Sequence, residues 1–247
     1  MGWLKEKYTK EYYICEDEQG RKLLYGVYGS EYWKKGEVYP EAKILLDSID
    51  LKDATILDIG FGRGETIKHC ILNGAKEVIG VDFSEAAIEI AHMTLKDLQR
   101  SKYRLYCQDI LTFVNSKSPT KNFTHILMFD VIEHIPRSEV EILIADFYKM
   151  LLPGGSIIIH TPFYNEDNDV IMEGIKTSCQ DSSDQHEETK GMHINRYSAE
   201  GLKKQMEKHG FVQWSRYIFI KPKGKFPIWK YHGLMRSFIA RKLNYWV

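Results

Sequence analysis

The chain has 247 residues and a formal net charge of zero, because 34 Lys and Arg side chains balance 34 Asp and Glu. With 43% hydrophobic and 28% charged residues it has the composition of a globular protein with a sizeable core, which excludes a disordered or collagen-like chain. Four widely spaced cysteines, no CxxC pair and no apolar run of about 20 residues predict a cytoplasmic protein without a disulfide framework or a structural zinc site.

Residues 1–50 are rich in aromatic side chains and differ in pattern from the rest of the chain. They contain seven tyrosines, Trp33 and several glycines. This composition predicts a short helical and looped extension that packs over the remaining fold. We expect it to form a lid, in which Tyr12, Tyr13 and Trp33 cover a bound ligand.

From residue 55 onward, short apolar β-branched runs alternate with helical stretches, which is the pattern of parallel βαβ units. The runs are apolar throughout, as in strands that helices cover on both faces. Ser84 is a candidate N-cap, and Pro153-Gly154-Gly155 is expected to end the third helix. The predicted strands are 55–59, 78–81, 104–107, 125–129 and 156–160, and the predicted helices are 65–72, 85–98, 138–150 and 198–209. The fold class is therefore α/β with a doubly wound, mostly parallel sheet.

A glycine-rich loop, Gly60-Phe61-Gly62-Arg63-Gly64, follows the first predicted strand. A dinucleotide-binding loop requires the spacing GxGxxG, whereas the spacing here is GxGxG and Glu65 occupies the sixth position. An acidic residue at the start of a helix would repel a pyrophosphate. The loop therefore favours a ligand without phosphates over a nicotinamide dinucleotide.

Acidic residues end the next three predicted strands, at the edge where open α/β sheets bind ligands. Asp82 ends the second strand, and its two oxygens suit the hydroxyls of a ribose. Asp109 ends the third strand, where it could accept from the exocyclic amine of an adenine. The fourth strand ends in the segment Phe129-Asp130-Val131-Ile132-Glu133-His134.

In order and spacing these motifs, together with Leu152-Pro153-Gly154-Gly155, resemble those of the class I S-adenosylmethionine-dependent methyltransferases over about residues 55–220. The resemblance implies S-adenosyl-L-methionine as the cofactor, with its methionine part beside the glycine loop and its ribose and adenine beside Asp82, Phe83 and Asp109. It also implies a seven-stranded Rossmann-like sheet, to which residues 211–222 add one antiparallel strand. The cofactor-binding residues that follow are Asp58, Gly60, Gly62, Gly64, Asp82, Phe83, Gln108, Asp109, Phe129 and Asp130.

The chain would then divide into an N-terminal lid (1–50), a catalytic domain (51–222) and a C-terminal tail (223–247). Within the catalytic domain, residues 163–197 form a polar, acidic insert that we expect to contribute to substrate selection.

Methyl transfer from a sulfonium is an in-line displacement, and an acceptor hydroxyl also requires a general base. His134, beside Glu133, is the predicted base because an imidazole titrates near neutral pH. His193 is the second candidate, and His160, at the end of the fifth strand, is expected to face the cleft. Some similar enzymes use a divalent ion, so a metal held by Glu133, His134 and His193 is an alternative to a pocket without metal.

The segments around residues 130–134 and 193–198 resemble those of bacterial sugar and glycan methyltransferases and of quinone-type O-methyltransferases. We therefore expect a small-molecule acceptor, methylated on oxygen or nitrogen, with a sugar or glycan precursor preferred and a quinone or other phenol as the alternative. A protein that binds S-adenosylmethionine without turnover is the alternative outside enzymes.

The neutral charge conceals an uneven distribution. Residues 221–247 carry seven Lys and Arg and no acidic residue, which leaves 27 basic against 34 acidic residues over 1–220. No nucleic-acid partner is expected from this balance. The basic tail is expected either to pack as a last helix and strand, to lie on an anionic membrane surface, or to contact a phosphorylated substrate or an acidic partner.

Overall fold

A computed structural model of the chain describes residues 6–14, 32–116, 122–161, 195, 197, 199–215 and 218–220. In these ranges the helices are α1 (Lys10–Ile14), α2 (Pro40–Leu46), α3 (Glu65–Leu72), α4 (Glu85–Thr94), α5 (Ile110–Asn115), α6 (Arg137–Met150) and α7 (Ala199–Lys208). The strands are β1 (Thr55–Ile59), β2 (Glu77–Asp82), β3 (Tyr103–Cys107), β4 (Phe123–Phe129), β5 (Leu151–His160), β6 (Val212–Ser215) and β7 (Ile218–Ile220). Three predicted features lie outside the described residues: the basic tail, His193, and the acidic insert apart from Asn195 and Tyr197.

The described strands form one sheet in the order β3-β2-β1-β4-β5-β7-β6. Strands β1 to β5 run parallel to one another, and β7 runs antiparallel to both β5 and β6. This arrangement confirms the doubly wound α/β fold. The strand order reverses between β1 and β4, so the carboxyl ends of these two strands flank the crevice where sheets of this type bind ligands.

Helices cover both faces of the sheet, which explains why its central strands are apolar throughout. In β1, Leu57 belongs to a buried cluster with α5, α6 and α7, whereas Ile56 belongs to a second cluster with α2, α3 and α4. Both side chains are fully buried. Alternate residues of the strand thus serve opposite faces, as the period of two requires. None of the helices in the described part of the chain is long and apolar enough to cross a membrane.

The predicted bounds of β1 and α3 match the structure, but α4 ends at Thr94 instead of continuing to residue 98. The hydroxyl of Thr94 donates to the carbonyl of Ile90 at 3.1 Å and accepts from the indole nitrogen of Trp33 at 2.8 Å. Such side-chain bonds compete with regular helix geometry. The predicted Ser84 cap is present, with its oxygen 3.2 Å from the nitrogen of Ala87.

Two further boundaries were predicted wrongly. Pro153-Gly154-Gly155 does not end a helix, because α6 ends at Met150 and the chain enters β5 directly, with Leu151 paired to Phe123. The long strand expected over 211–222 is instead two strands, β6 and β7, which pair with each other. Of the two, β7 carries the predicted antiparallel contact with β5.

Candidate active site

A pocket of about 690 Å³, partly continuous with solvent, lies at the carboxyl ends of β1 to β4. Acidic residues line it on both sides of β1: Asp82 and Asp109 after β2 and β3, and Asp130 after β4. Apolar side chains, among them Ile110 and Ile135, line the space between them. The pocket therefore spans the reversal of strand order that topology alone marks as the binding crevice.

The glycine loop forms the floor of this pocket through Gly60 and Gly62. Gly60 has φ +67°, and a Cβ there would lie 2.4 Å from Cγ2 of Val131, so only glycine fits. Gly64 was expected to border the ligand as well, but it is not among the lining residues. A Cβ on Gly64 would lie 3.0 Å from that of Ala91, so this glycine allows α3 and α4 to approach each other.

Asp82 organises the loop and offers acceptors to a ligand. Its Oδ1 accepts from the backbone nitrogen of Ser84 at 2.9 Å and its Oδ2 from that of Gly62 at 3.0 Å. Burial raises the pKa of this carboxyl to about 6, although the backbone hydrogen bonds act in the opposite direction. Each oxygen has a second lone pair, which can accept from a ribose hydroxyl.

Asp58 is a second buried acid, located on β1 beneath the glycine loop. Burial and the nearby charges of Glu65 and Asp82 raise the pKa of Asp58 well above its ordinary value. Among the described residues its Oδ2 finds no hydrogen-bond partner. Asp58 is not among the residues that line the pocket, so the cofactor contact expected of it stays a prediction.

The sequence led us to expect that Glu65 would repel a pyrophosphate. In the structure its carboxylate is instead paired with Arg63. Glu65 is 6% exposed, and Nη2 and Nε of Arg63 lie 2.8 Å and 3.1 Å from its Oε1. Arg63 is itself only 1% exposed. The charge of Glu65 is balanced within the loop, so the sequence argument against a dinucleotide loses its electrostatic basis.

At the end of β3, Asp109 is the N-cap of α5, and its Oδ1 accepts from the nitrogen of Leu111 at 2.9 Å. The neighbouring Gln108 donates its backbone N–H to the carbonyl of Asp82 at 2.8 Å. Both residues line the pocket, as expected for the adenine side. The helix α5 was not predicted, because its β-branched residues mask the helical period, although the cap at Asp109 signals it.

Beyond β4, Asp130 adopts a left-handed backbone with φ +55°, which is unusual for a residue other than glycine. Its Oδ1 lies 2.8 Å from Nδ1 of His160, and its Oδ2 accepts from the hydroxyl of Tyr39 at 3.2 Å. His160 was expected to face the cleft. It does not line the pocket itself but contacts Asp130, which does. Phe129, the preceding residue, belongs to the core.

His134 lines the pocket on the same side as Asp130. It ends a 3-10 turn, Ile132–His134, and its ring stands perpendicular to that of Tyr8, with 6.1 Å between centroids. Glu133 is 3% exposed and points elsewhere, since its Oε2 accepts from the hydroxyl of Thr161 at 2.9 Å. The structure thus brings His134 to the pocket and leaves Glu133 behind it, and the catalytic roles of both stay predictions.

The metal alternative also stays a prediction. In the described ranges no three His, Cys, Asp or Glu side chains form a cluster that could hold a metal ion. His193, the third ligand of the proposed site, lies outside those ranges.

Three N-terminal side chains, Tyr8, Tyr12 and Tyr13, line the pocket opposite the sheet, and we call them the tyrosine wall. The ring of Tyr8 lies 5.0 Å from that of Phe83. Burial, followed by the negative charges of nearby acids, raises the pKa of Tyr12. The acids that do so are Asp130, Glu133 and Asp82. Three carboxyl groups therefore lie near this phenol.

One expectation about the N-terminal aromatic residues needs correction, and one residue of the wall was missed. Trp33 is not part of the wall, because its indole bonds to Thr94 on α4 and packs against the core. Tyr8 was not singled out from the sequence. No helical spacing indicates it, because Tyr8 precedes α1, which begins at Lys10.

A family model described as "Methyltransferase domain" matches residues 32–215. The chain belongs to this family. The match confirms the class I S-adenosylmethionine-dependent methyltransferase fold, and membership of this family implies S-adenosyl-L-methionine as the cofactor. Asp82 and the tyrosine wall, which line the pocket, fit a donor that carries a sulfonium charge.

Several known proteins are similar to the methyltransferase. It is 26% identical over 142 residues to a phosphoethanolamine N-methyltransferase of Plasmodium falciparum, covering 58% of this chain and 52% of the relative. It is 27% identical over 158 residues to a tRNA U34 carboxymethyltransferase of Glaesserella parasuis, covering 62% and 46%. The chain thus spans about half the length of these curated relatives.

Among solved structures, a SAM-dependent methyltransferase from Archaeoglobus fulgidus superposes with a TM-score of 0.52 at 23% identity. The superposition covers 70% of this chain and 68% of that one. This likeness supports the fold.

Proposed function

We propose that the protein transfers the methyl group of S-adenosyl-L-methionine to an oxygen or nitrogen of a small molecule, and that this molecule is a sugar or glycan precursor. The observation that carries the proposal is that one pocket joins Asp82 and Asp109 on its donor side to His134 and Asp130 on its other side. A donor held at β2 and β3 would therefore direct its methyl group toward the imidazole at β4.

The residues of this chain bind, orient and exclude water in that reaction. Asp82 accepts from the ribose hydroxyls, and the glycine loop admits the methionine part close to the backbone. The tyrosine wall keeps water from the electrophilic methyl that the donor supplies. His134 accepts the proton that the acceptor loses as it is methylated.

The charge around the pocket restricts the acceptor. Burial and, to a smaller extent, three nearby carboxylates raise the pKa of Tyr12, and we infer that a phosphate or carboxylate close to this phenol would be disfavoured. A neutral hydroxyl or an amine fits better at the point of transfer. The amine is the second candidate, and the similarity to a phosphoethanolamine N-methyltransferase supports it.

A quinone or other phenol, and binding of the donor without turnover, are the remaining alternatives.

We also propose that the protein is cytoplasmic and that it has no nucleic-acid substrate. Support for the first comes from the sequence, because its four cysteines are widely spaced and form no CxxC pair, which is typical of a reducing compartment. Support for the second comes from the acids of the pocket, which disfavour a polyanion.

The proposal is tested with methyl-labelled S-adenosylmethionine and paired acceptors that differ in one group, such as glucose and glucosamine and their nucleotide-linked forms, beside a catechol and a quinol. We expect label in the sugar set, with the amino sugar favoured if the acceptor is an amine. Label only in the phenols would replace the sugar assignment. Tight donor binding with no label in any acceptor of the three classes would favour a protein without turnover.

A further inference from the structure

We propose that Arg63 and Ser84 are positioning residues that hold the tyrosine wall over the methyl donor. Both bond to backbone carbonyls of the wall, one near each end of residues 8–13. This inference rests on the proposed function, because it assigns the two residues to the binding and release of the donor.

Arg63 holds the C-terminal end of the wall. Its Nη1 donates to the carbonyl of Tyr13 at 3.2 Å, while Nε and Nη2 bond to Glu65. A guanidinium that is 1% exposed is costly to bury unless its donors are used, and its planar shape lets it bond in two directions at once. The pair with Glu65 fixes the guanidinium, and its Nη1 is left to bond to the carbonyl of Tyr13 in α1.

Ser84 holds the N-terminal end. Its hydroxyl donates to the carbonyl of Tyr8 at 2.8 Å and accepts from the nitrogen of Ala87 at 3.2 Å. The same oxygen therefore caps α4 and fastens the wall. A hydroxyl can do both because it has one donor and two acceptor lone pairs.

The two anchors lie in segments that line the pocket proposed for the donor. Arg63 lies between Gly62 and Gly64 of the glycine loop, and the backbone nitrogen of Ser84 donates to Asp82. A donor that orders these segments also orders the anchors, and closure of the wall in turn retains the donor. Such coupling is reciprocal by thermodynamic necessity.

The test is the rate at which S-adenosylhomocysteine leaves the full chain, followed by stopped-flow fluorescence after mixing with excess S-adenosylmethionine. Arg63→Lys keeps a cation beside Glu65 but removes the planar fork, and Ser84→Ala removes the hydroxyl. Loss of one hydrogen bond of ordinary strength corresponds to release that is about fivefold faster. We expect this increase in each variant.

Three controls separate positioning from a merely structural effect. Ser84→Thr keeps the hydroxyl and should release product at the wild-type rate. Lys10→Ala removes an exposed ion pair between α1 and Glu89 and should change nothing, because such pairs contribute little. Hydrogen exchange of residues 8–14 should slow on adding S-adenosylhomocysteine to the wild type and less so in Arg63→Lys.

The outcomes are distinct. A wild-type chain that binds neither S-adenosylmethionine nor S-adenosylhomocysteine contradicts the proposed function. A wild type that binds both, with folded Arg63→Lys and Ser84→Ala proteins that release product at the wild-type rate, overturns the positioning inference and leaves the proposed function standing.

Discussion

Asp82 connects the backbone of the glycine loop to the start of α4 and still faces the pocket. Its burial favours the neutral acid, while the backbone N–H groups of Ser84, Gly62 and Phe83 favour the carboxylate. A ribose would add two further donors to the carboxylate. The same side chain therefore links the folded loop to donor affinity.

Asp82→Ala should weaken binding of S-adenosylmethionine by about 1.5–3 kcal/mol for each charge-assisted bond lost. Isothermal titration calorimetry measures this loss. Glu200→Ala, which removes an exposed acid on α7, serves as the control and should bind normally. Unchanged affinity in Asp82→Ala would contradict the ribose assignment.

The raised pKa of Asp82 predicts a pH dependence of donor binding. The ribose hydroxyls need the carboxylate as acceptor, so affinity should fall as the pH drops through about 6, by up to about tenfold per pH unit. In the absence of a donor, the free energy of unfolding changes in the opposite sense. It rises as the pH falls from about 6 to about 4, because protonation of Asp82 relieves the cost of burying its charge. Calorimetry from pH 5 to 8 shows the dependence, which Asp82→Asn should lack.

His134→Ala should lower turnover about 10²–10⁴-fold if the imidazole is the general base, with donor affinity unchanged. Initial rates with whichever acceptor takes up label, together with calorimetry, separate the two effects. His69→Ala, a change on α3 away from the pocket, is the matched control. Equal turnover in wild type and His134→Ala would show that this histidine is a bystander.

At the scale of elements, apolar runs and glycine punctuation were sufficient to predict β1 and α3 with their bounds and the Ser84 cap. These features depend on residues close in sequence. The bond between Arg63 and the carbonyl of Tyr13 could not be predicted, because it joins residues 50 positions apart and one partner is backbone. The same holds for the contact between Tyr8 and His134, which only the packing of α1 brings about.

Gly80 shows how closely β2 and the glycine loop are packed. A Cβ there would lie 2.7 Å from Cδ1 of Phe61 and 2.8 Å from Cδ1 of Ile67. Gly80→Ala should therefore lower the free energy of unfolding by about 1–3 kcal/mol, as overpacked cores do. Urea unfolding tests this. Gly201→Ala in the exposed face of α7 should instead stabilise by about 0.5–1 kcal/mol, and equal effects at the two sites would refute the packing argument.

At the scale of the whole molecule, charge divides the chain into an acidic body and a tail, residues 221–247, with seven cations. The body places three of its acids, Asp82, Asp109 and Asp130, around the pocket. The tail lies outside the described residues, and its predicted membrane contact is a separate question from catalysis.

If the tail lies on anionic membranes, the full chain should co-sediment with phosphatidylserine-containing vesicles, with about 1 kcal/mol contributed by each basic residue near the surface. A chain that ends at residue 220 should not co-sediment, and raising the salt concentration should release the full chain. Vesicles of phosphatidylcholine alone are the control. Equal, weak binding of both chains would exclude the membrane contact.

The bonds from Arg63 and Ser84 to the tyrosine wall end on main-chain oxygens, which every residue type provides. Attachment of the N-terminal segment is thus independent of which side chains it displays toward the acceptor. The identity of the side chains at positions 8, 12 and 13 can therefore change while the segment stays attached, so evolution or design could alter the pocket there without rebuilding the attachment. A library randomised at these three positions should keep the segment attached in most members, and its members should differ in donor affinity and in the acceptors that take up label.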